Sequence, residues 1–201
     1  MALTKKAERT KAKLLESARK LISEKGFDHV AVEDITNDSG VAKGTFYHYF
    51  KCKEDVVAEL SFQSSHTIVE KSIGFEGTVS GRCCYFITEL YKDASWTGVR
   101  LVRQWIRESM ESEIGDSRVR ASLTGIHQAF LKIFTVRQGQ GAGELVKDAP
   151  LDTLAKLMMG HFFGTLTIWC MVNAMWRIDD DTSAEYTKMD IDNLLRQYII
   201  K

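Results

Sequence analysis

Apolar positions along this chain recur at spacings of three and four far more often than they alternate, which predicts helices and few strands. Leu14, Leu15, Ala18, Leu21 and Ile22 form one such stripe, so a first helix is expected over about 4–25. Gly26 stops it, and Phe27 and Val30 plug the core beneath the turn. A short second helix is expected over about 32–38, with Val32 and Ile35 facing inward and Glu33 and Asp34 suiting its positive end. Gly40 supplies a tight link, Val41 packs inward, and a third helix follows over about 43–49. A fourth runs from about Lys53 to Ile73, broken by Gly74 and Gly77. Beyond it the pattern predicts helices over about 80–93, 96–110 (capped by Ser95), 118–137, 151–175 and 184–200. Gly115-Asp116-Ser117 reads as a turn and residues 138–143 as a flexible loop. Thr182-x-x-Glu185 reads as the capping box of the last helix. The expected fold is all-α, about nine helices, with a three-helix unit over 1–52 and a larger helical bundle over 53–201.

The segment from Leu157 to Trp176 carries no formal charge over twenty residues, close to the length of a membrane span. His161, Asn173, two threonines and two glycines dilute it, and no Lys/Arg cluster flanks it, so it reads as a fully buried helix. Gly160 and Gly164 permit two helix backbones to approach closely, which also suits a dimer interface.

The net charge is zero, but the charge is unevenly placed. Residues 1–53 carry eleven Lys/Arg against seven Asp/Glu; residues 54–201 carry sixteen against twenty. One end is therefore suited to a polyanion. Cys52, Cys83, Cys84 and Cys170 fit neither a zinc pattern nor a disulfide scaffold, and the charged N-terminal segment has no apolar leader core. A reduced, cytoplasmic protein without metal or cofactor is expected.

The stretch Gly40 to Asp55, GVAKGTFYHYFKCKED, sharpens this. On a helical wheel Phe46 and Phe50 fall together and define an inward side. Gly44, Thr45 and His48 point the other way, and Tyr47 and Tyr49 sit on the two rims. Two short helices joined at a glycine turn make a helix-turn-helix, whose second helix enters the major groove. Gly44 lets the backbone approach; Thr45 and His48 offer hydrogen bonds; Tyr47 and Tyr49 reach phosphates; Lys43 and Lys53 stand at helix starts that favour anions. The competing reading is a surface helix whose rings pack on the larger bundle.

The run from Thr10 to Leu60 resembles the TetR family of bacterial one-component regulators. The resemblance rests on Gly26-Phe27, Val32-x-x-Ile35, Gly40-Val41, Lys43-Gly44-Thr45-Phe46-Tyr47, Tyr49-Phe50 and Lys53-Glu54. It implies that Lys43, Gly44, Thr45, Tyr47, His48 and Tyr49 occupy recognition-helix positions and that Lys53 contacts phosphate at the start of the fourth helix. Thr4 and Lys5 would belong to an N-terminal arm. Ala31, Ala42 and Cys52 stand where the family often has Ser or Thr, which removes capping hydroxyls worth about 1 kcal/mol each.

A dimer places two reading heads about 34 Å apart on a palindrome. Gly160, Gly164, Ile168, Met171, Leu195 and Tyr198 are the candidate interface; the alternative is that they fill the monomer's own core. In the resembling family the last two helices of each subunit form a four-helix bundle. The resemblance also implies a small apolar or aromatic effector between the fourth and eighth helices, with His66, Tyr85, Trp105, His127, Phe130 and Phe162 as candidate lining. No catalytic or metal-ligating constellation is evident. The expected function is a dimeric repressor that binds double-stranded DNA, is released by a small molecule and has no membrane partner. The alternative is a DNA-binding regulator controlled by a protein partner.

Overall fold

The computed structural model describes residues 5–111, 117–172 and 174–201. Among them nine α-helices follow in order: α1 (Lys5–Lys25), α2 (Val32–Ser39), α3 (Lys43–Tyr49), α4 (Lys53–Gly74), α5 (Val79–Thr97), α6 (Val99–Glu111), α7 (Ser117–Thr135), α8 (Leu151–Met171) and α9 (Asp181–Leu195). The chain divides into two compact units, one reaching to Ser64 with Trp96–Gly98 added, the other holding Ser65–Ser95 and Val99–Lys201.

In the first unit, α1 buries Leu14, Leu15, Ala18, Leu21 and Ile22, the stripe that its sequence announces. Gly26 and Gly40 both take positive φ, which L-residues with a Cβ adopt only at a cost. The Ser17 hydroxyl donates to the Ile35 carbonyl at 3.1 Å and to Asp38 at 2.7 Å. Lys20 donates to the same Asp38 at 2.8 Å, so α1 and α2 are tied side by side. The missing hydroxyl at Ala31 is offset locally, because the Ala31 N–H donates to the Asp34 carboxylate at 2.8 Å. Asp55 does the same for α4 by accepting from the Lys51 N–H at 2.8 Å. A Lys11–Glu59 ion pair at 2.9 Å fastens α1 to α4, and the Trp96 indole donates to Ser23 at 2.8 Å.

The second unit packs α5, α7, α8 and α9 around one core. It includes Val79, Phe86, Ile87 and Tyr91, then Phe130, Ile133 and Phe134, then Leu154, Met158, Phe162 and Trp169, with Ile191 and Leu195. Residues 138–143, expected as a flexible loop, are held by backbone bonds. Gly139 donates to Leu145, Gly143 to Ile200 and Val146 to Tyr198, each at 2.8 Å, and Ile200 returns a bond to Glu144 at 2.8 Å. Beneath them Arg82 is fully buried and forms a bidentate pair with Glu144, while its Nη1 also donates to the Gly77 carbonyl at 2.8 Å.

Several boundaries differ from the sequence pattern. Ser95 lies inside α5 rather than capping α6; the break comes at Gly98, whose φ is +90°. The last helix starts at Asp181, and its cap is Asp180, which accepts from the Ser183 N–H at 2.9 Å, so the Thr182-x-x-Glu185 pattern lies within its first turns. Gly115 and Asp116 of the expected turn, and Thr4, lie outside the described residues. No helix of the described residues is long and apolar enough to cross a membrane. Nor is α8 buried all round: Leu157, Gly160, Gly164, Ile168 and Met171 are exposed along it.

Breaking the buried pair leaves one charge without a partner in a dry interior, which typically costs about 3–5 kcal/mol. Glu144→Ala is therefore expected to lose stability of that order in denaturant unfolding and to free the 138–146 loop for amide exchange. Little change in either measurement would show that water reaches the pair.

Candidate nucleic-acid interface

The site is built on α3 and the first turn of α4. Phe46 is fully buried and Phe50 nearly so, with ring centroids 5.6 Å apart. Their burial leaves the opposite side of a seven-residue helix free. Lys43, Gly44 and His48 are exposed, and Tyr47 is 50% exposed with its ring edge-on to Phe46 at 5.4 Å. Tyr49 is half-buried beside His48, ring centroids 5.2 Å apart. Thr45 is also half-buried, which places it on the flank rather than on the outer side where the wheel put it.

Gly44 is open on its outer side: a Cβ built there meets nothing within 4 Å. Nothing in the fold of the chain demands glycine, since its φ is ordinary. The backbone at this point is bare to any partner that approaches.

Two lysines are differently placed. Lys43 donates to Glu33, and that hydrogen bond holds the Glu33 carboxyl below its ordinary pKa and the Lys43 ammonium above its own. Both groups are solvent-exposed, so an approaching phosphate can take the lysine over from the carboxylate. Lys53 instead reaches back into the protein. Its ammonium donates to the Phe27 and Val30 carbonyls, each at 2.9 Å, and lies 4.1 Å from the centroid of the Phe27 ring. It fastens the start of α4 to the corner between α1 and α2, with one of its three protons left for an anion. Beside it the Cys52 thiol is pushed up by burial.

Three further residues, Glu33, Asp34 and Asp55, shape this site. Glu33 sits ten residues from its lysine, without a local signal. Asp34 and Asp55 were visible in principle, as carboxylates at the third helical position that can reach back to free N–H groups.

The other candidates fall in the second unit. Phe130 packs edge-on to Phe86 at 5.1 Å, and Phe162 stacks on Tyr91 at 5.4 Å. Trp105 stacks on Phe163 at 5.9 Å, and Phe163 touches Phe162 at 4.9 Å, so Trp105 and Phe162 share one run of rings. Tyr85 stacks on Phe75 at 5.2 Å, His127 lies 3.0 Å from Asp152, and His66 is exposed on α4. An open concavity of about 330 Å³ on α9, lined by Glu185, Lys188, Met189, Asp192, Asn193 and Arg196, involves none of them. Among the described residues no group of three His, Cys, Asp or Glu side chains could hold a metal. All four cysteines are free.

Of the candidate interface residues, Gly160 and Gly164 are exposed with open space at their Cβ positions, Ile168 is 51% and Met171 77% exposed. Leu195 must be withdrawn: it is 0% exposed inside the chain's own core. Tyr198 is half-buried against that core.

A helix-turn-helix with a bare polar recognition side is the apparatus of a DNA-binding transcriptional regulator, and residues 14–60 match the family model for bacterial regulatory proteins, tetR family. Over those residues the chain resembles the TetR family of transcriptional regulators. It is 24% identical over 164 residues to the fatty acid metabolism regulator protein of Bacillus subtilis, covering 79% of this chain and 82% of that one. The fold is similar to the fatty acid degradation regulator FadR from Bacillus halodurans, with a TM-score of 0.58, 17% identity and coverage of 90% and 96% of the two chains. It is also similar to FadR from Bacillus subtilis in complex with stearoyl-CoA, with a TM-score of 0.50, 18% identity and coverage of 90% and 96%. The relatives it matches over most of its length are regulators.

Two substitutions separate recognition from stability. Gly44→Ala removes the entropy cost of a helical glycine, so the free protein is expected to be unchanged or more stable by up to about 1 kcal/mol, while DNA binding weakens. Tighter binding by the alanine variant would mean the backbone at Gly44 does not approach DNA. Lys53→Met is expected to cost about 1–3 kcal/mol of stability, from lost charged hydrogen bonds. If Lys53 also holds a phosphate, the slope of log affinity against log salt falls by about one as well.

Proposed function

We propose that this protein is a homodimeric repressor, with α3 reading each half of a palindromic operator and a small molecule with an apolar body releasing it. The observation that carries the reading is the bare, polar outer side of α3, held outward by the burial of Phe46 and Phe50. Lys43, Gly44, Thr45, Tyr47, His48 and Tyr49 are its proposed DNA contacts, with His48 and Thr45 the candidates for base edges.

The dimer is supported by α8. Leu157, Ile168 and Met171 are large, apolar and exposed, and Gly160 and Gly164 between them leave room for a second backbone. Tyr186 and Met189 extend an exposed apolar surface on α9. Burying one such side chain is worth about 1.5–3 kcal/mol, so a handful suffices to hold two chains together. The small-molecule reading is supported by the ring-rich core of the second unit and by the fatty acid regulators it resembles. The segment α4 contributes residues to both units, which makes it one covalent route between ligand and reading head, the chain also crossing on either side of Trp96–Gly98.

Selection from a random duplex pool is expected to return an inverted repeat, and sedimentation to return a dimer. The Ile168→Glu, Met171→Glu double variant should sediment as a monomer and bind the selected operator about a hundredfold less tightly, because the second half-site no longer adds to the first. A monomeric wild-type protein, or an operator without repeat symmetry, would overturn the dimer reading. Release of the operator by no apolar small molecule would overturn the effector reading.

A further inference from the structure

Lys43 is the first residue of α3 and Glu33 the second of α2, and their side chains meet as an ion pair. The pair is open to water, with 53% of the lysine and 56% of the glutamate exposed. Glu33 nonetheless stands on a fixed support. Ser17 and Lys20 of α1 both donate to Asp38 of the same helix, and the Thr36 hydroxyl donates to the Glu33 carbonyl at 3.0 Å. Its carboxylate is therefore held beside the lysine that leads into the exposed side formed by Gly44, Tyr47 and His48. Stability does not account for this placement, because an exposed pair favours the folded state by a factor of about five at most. A negative charge here is also the wrong sign for a surface that meets phosphates.

The charge of the ammonium is spent on Glu33 in the free protein. It becomes available to a phosphate only where one comes as near as the carboxylate. We propose that Glu33 determines specificity by withholding Lys43 from phosphates until α3 is seated in its groove. The lysine then adds to operator binding and little to non-specific binding, where the duplex stays further off. Specificity is a difference of affinities, so weakening the wrong complex raises it as surely as strengthening the right one. The proposal rests on the reading that α3 enters an operator, and gives a role to a residue of α2.

The two complexes then respond differently when the carboxylate is removed. On a mixed-sequence duplex Glu33→Gln frees a lysine that was withheld, and one more phosphate is neutralised. That raises affinity roughly fivefold to tenfold at about 0.1 M salt and steepens the slope of log affinity against log salt by about 0.9. On the operator the lysine has already changed partner. Only the cost of parting the pair is recovered, a gain of about twofold, and the slope stays where it was. The ratio of the two affinities falls by about threefold.

Binding titrations of the intact protein across a range of salt test this, with the operator recovered by selection from a random pool and a mixed-sequence duplex of equal length. Glu33→Gln is expected to steepen the slope for the mixed-sequence duplex alone and to lower the preference for the operator. In a Lys43→Met background the same substitution is expected to leave both slopes unchanged, because the carboxylate acts through the lysine. Equal steepening on both duplexes, steepening on neither, or an effect that survives Lys43→Met would each overturn the proposal. So would weaker operator binding by Glu33→Gln, since the carboxylate would then be aiming Lys43 at its phosphate rather than withholding it. If the wild-type protein binds neither duplex, or binds both alike, the reading of α3 as a sequence-specific head has itself failed.

Discussion

The reading surface depends on two phenyl rings. Phe46 and Phe50 lie one helical turn apart and are both withdrawn from water. Full burial of a ring of this kind is worth about 1.5–3 kcal/mol, more than any exposed ion pair nearby. That difference decides the orientation of α3. The Lys43–Glu33 pair can rearrange when a phosphate arrives; the rings cannot turn out without exposing the core of the first unit. The polar outer side of α3 is thus placed by groups that take no part in it.

The same division of labour governs Lys53. Its stem and ammonium are committed to the Phe27 ring and two carbonyls, which fixes where α4 begins relative to the corner it leaves. The lysine is both a structural fastener and a positive charge at a helix start. Its position in the sequence announces the second role, while the first depends on carbonyls more than twenty residues away.

How far the sequence could be read follows from the range of the interactions. The limits of α2 and α3 were legible almost to the residue, because glycines with positive φ stand at Gly26 and Gly40 and the apolar stripes are local. The break at Gly98 was missed because Ser95 is the better cap by type, and α5 simply continues through it. Asp180 displaced Thr182 as a cap for a similar reason: both are good caps, and the path of the chain from α8 chooses between them. The pinned 138–146 loop was invisible, since its partners are Arg82 and the backbone near Ile199. Leu194 and Leu195 are adjacent and apolar, and a wheel alone does not say that Leu195 is the one buried at home. At the site, the outer residues of α3 were legible from Phe46 and Phe50. The pairing of Lys43 and the fastening of Lys53 were not.

The two ends of the second unit carry opposite deficits. On α8 the exposed Ile168 and Met171 are apolar groups in water, relieved by association with another apolar surface. Inside, Nε2 of His161 is a polar atom out of water. A ligand shifts an equilibrium only as far as it prefers one state over the other. A small molecule proposed to enter this core would have to gain more from the arrangement that admits it than the packed rings lose by parting.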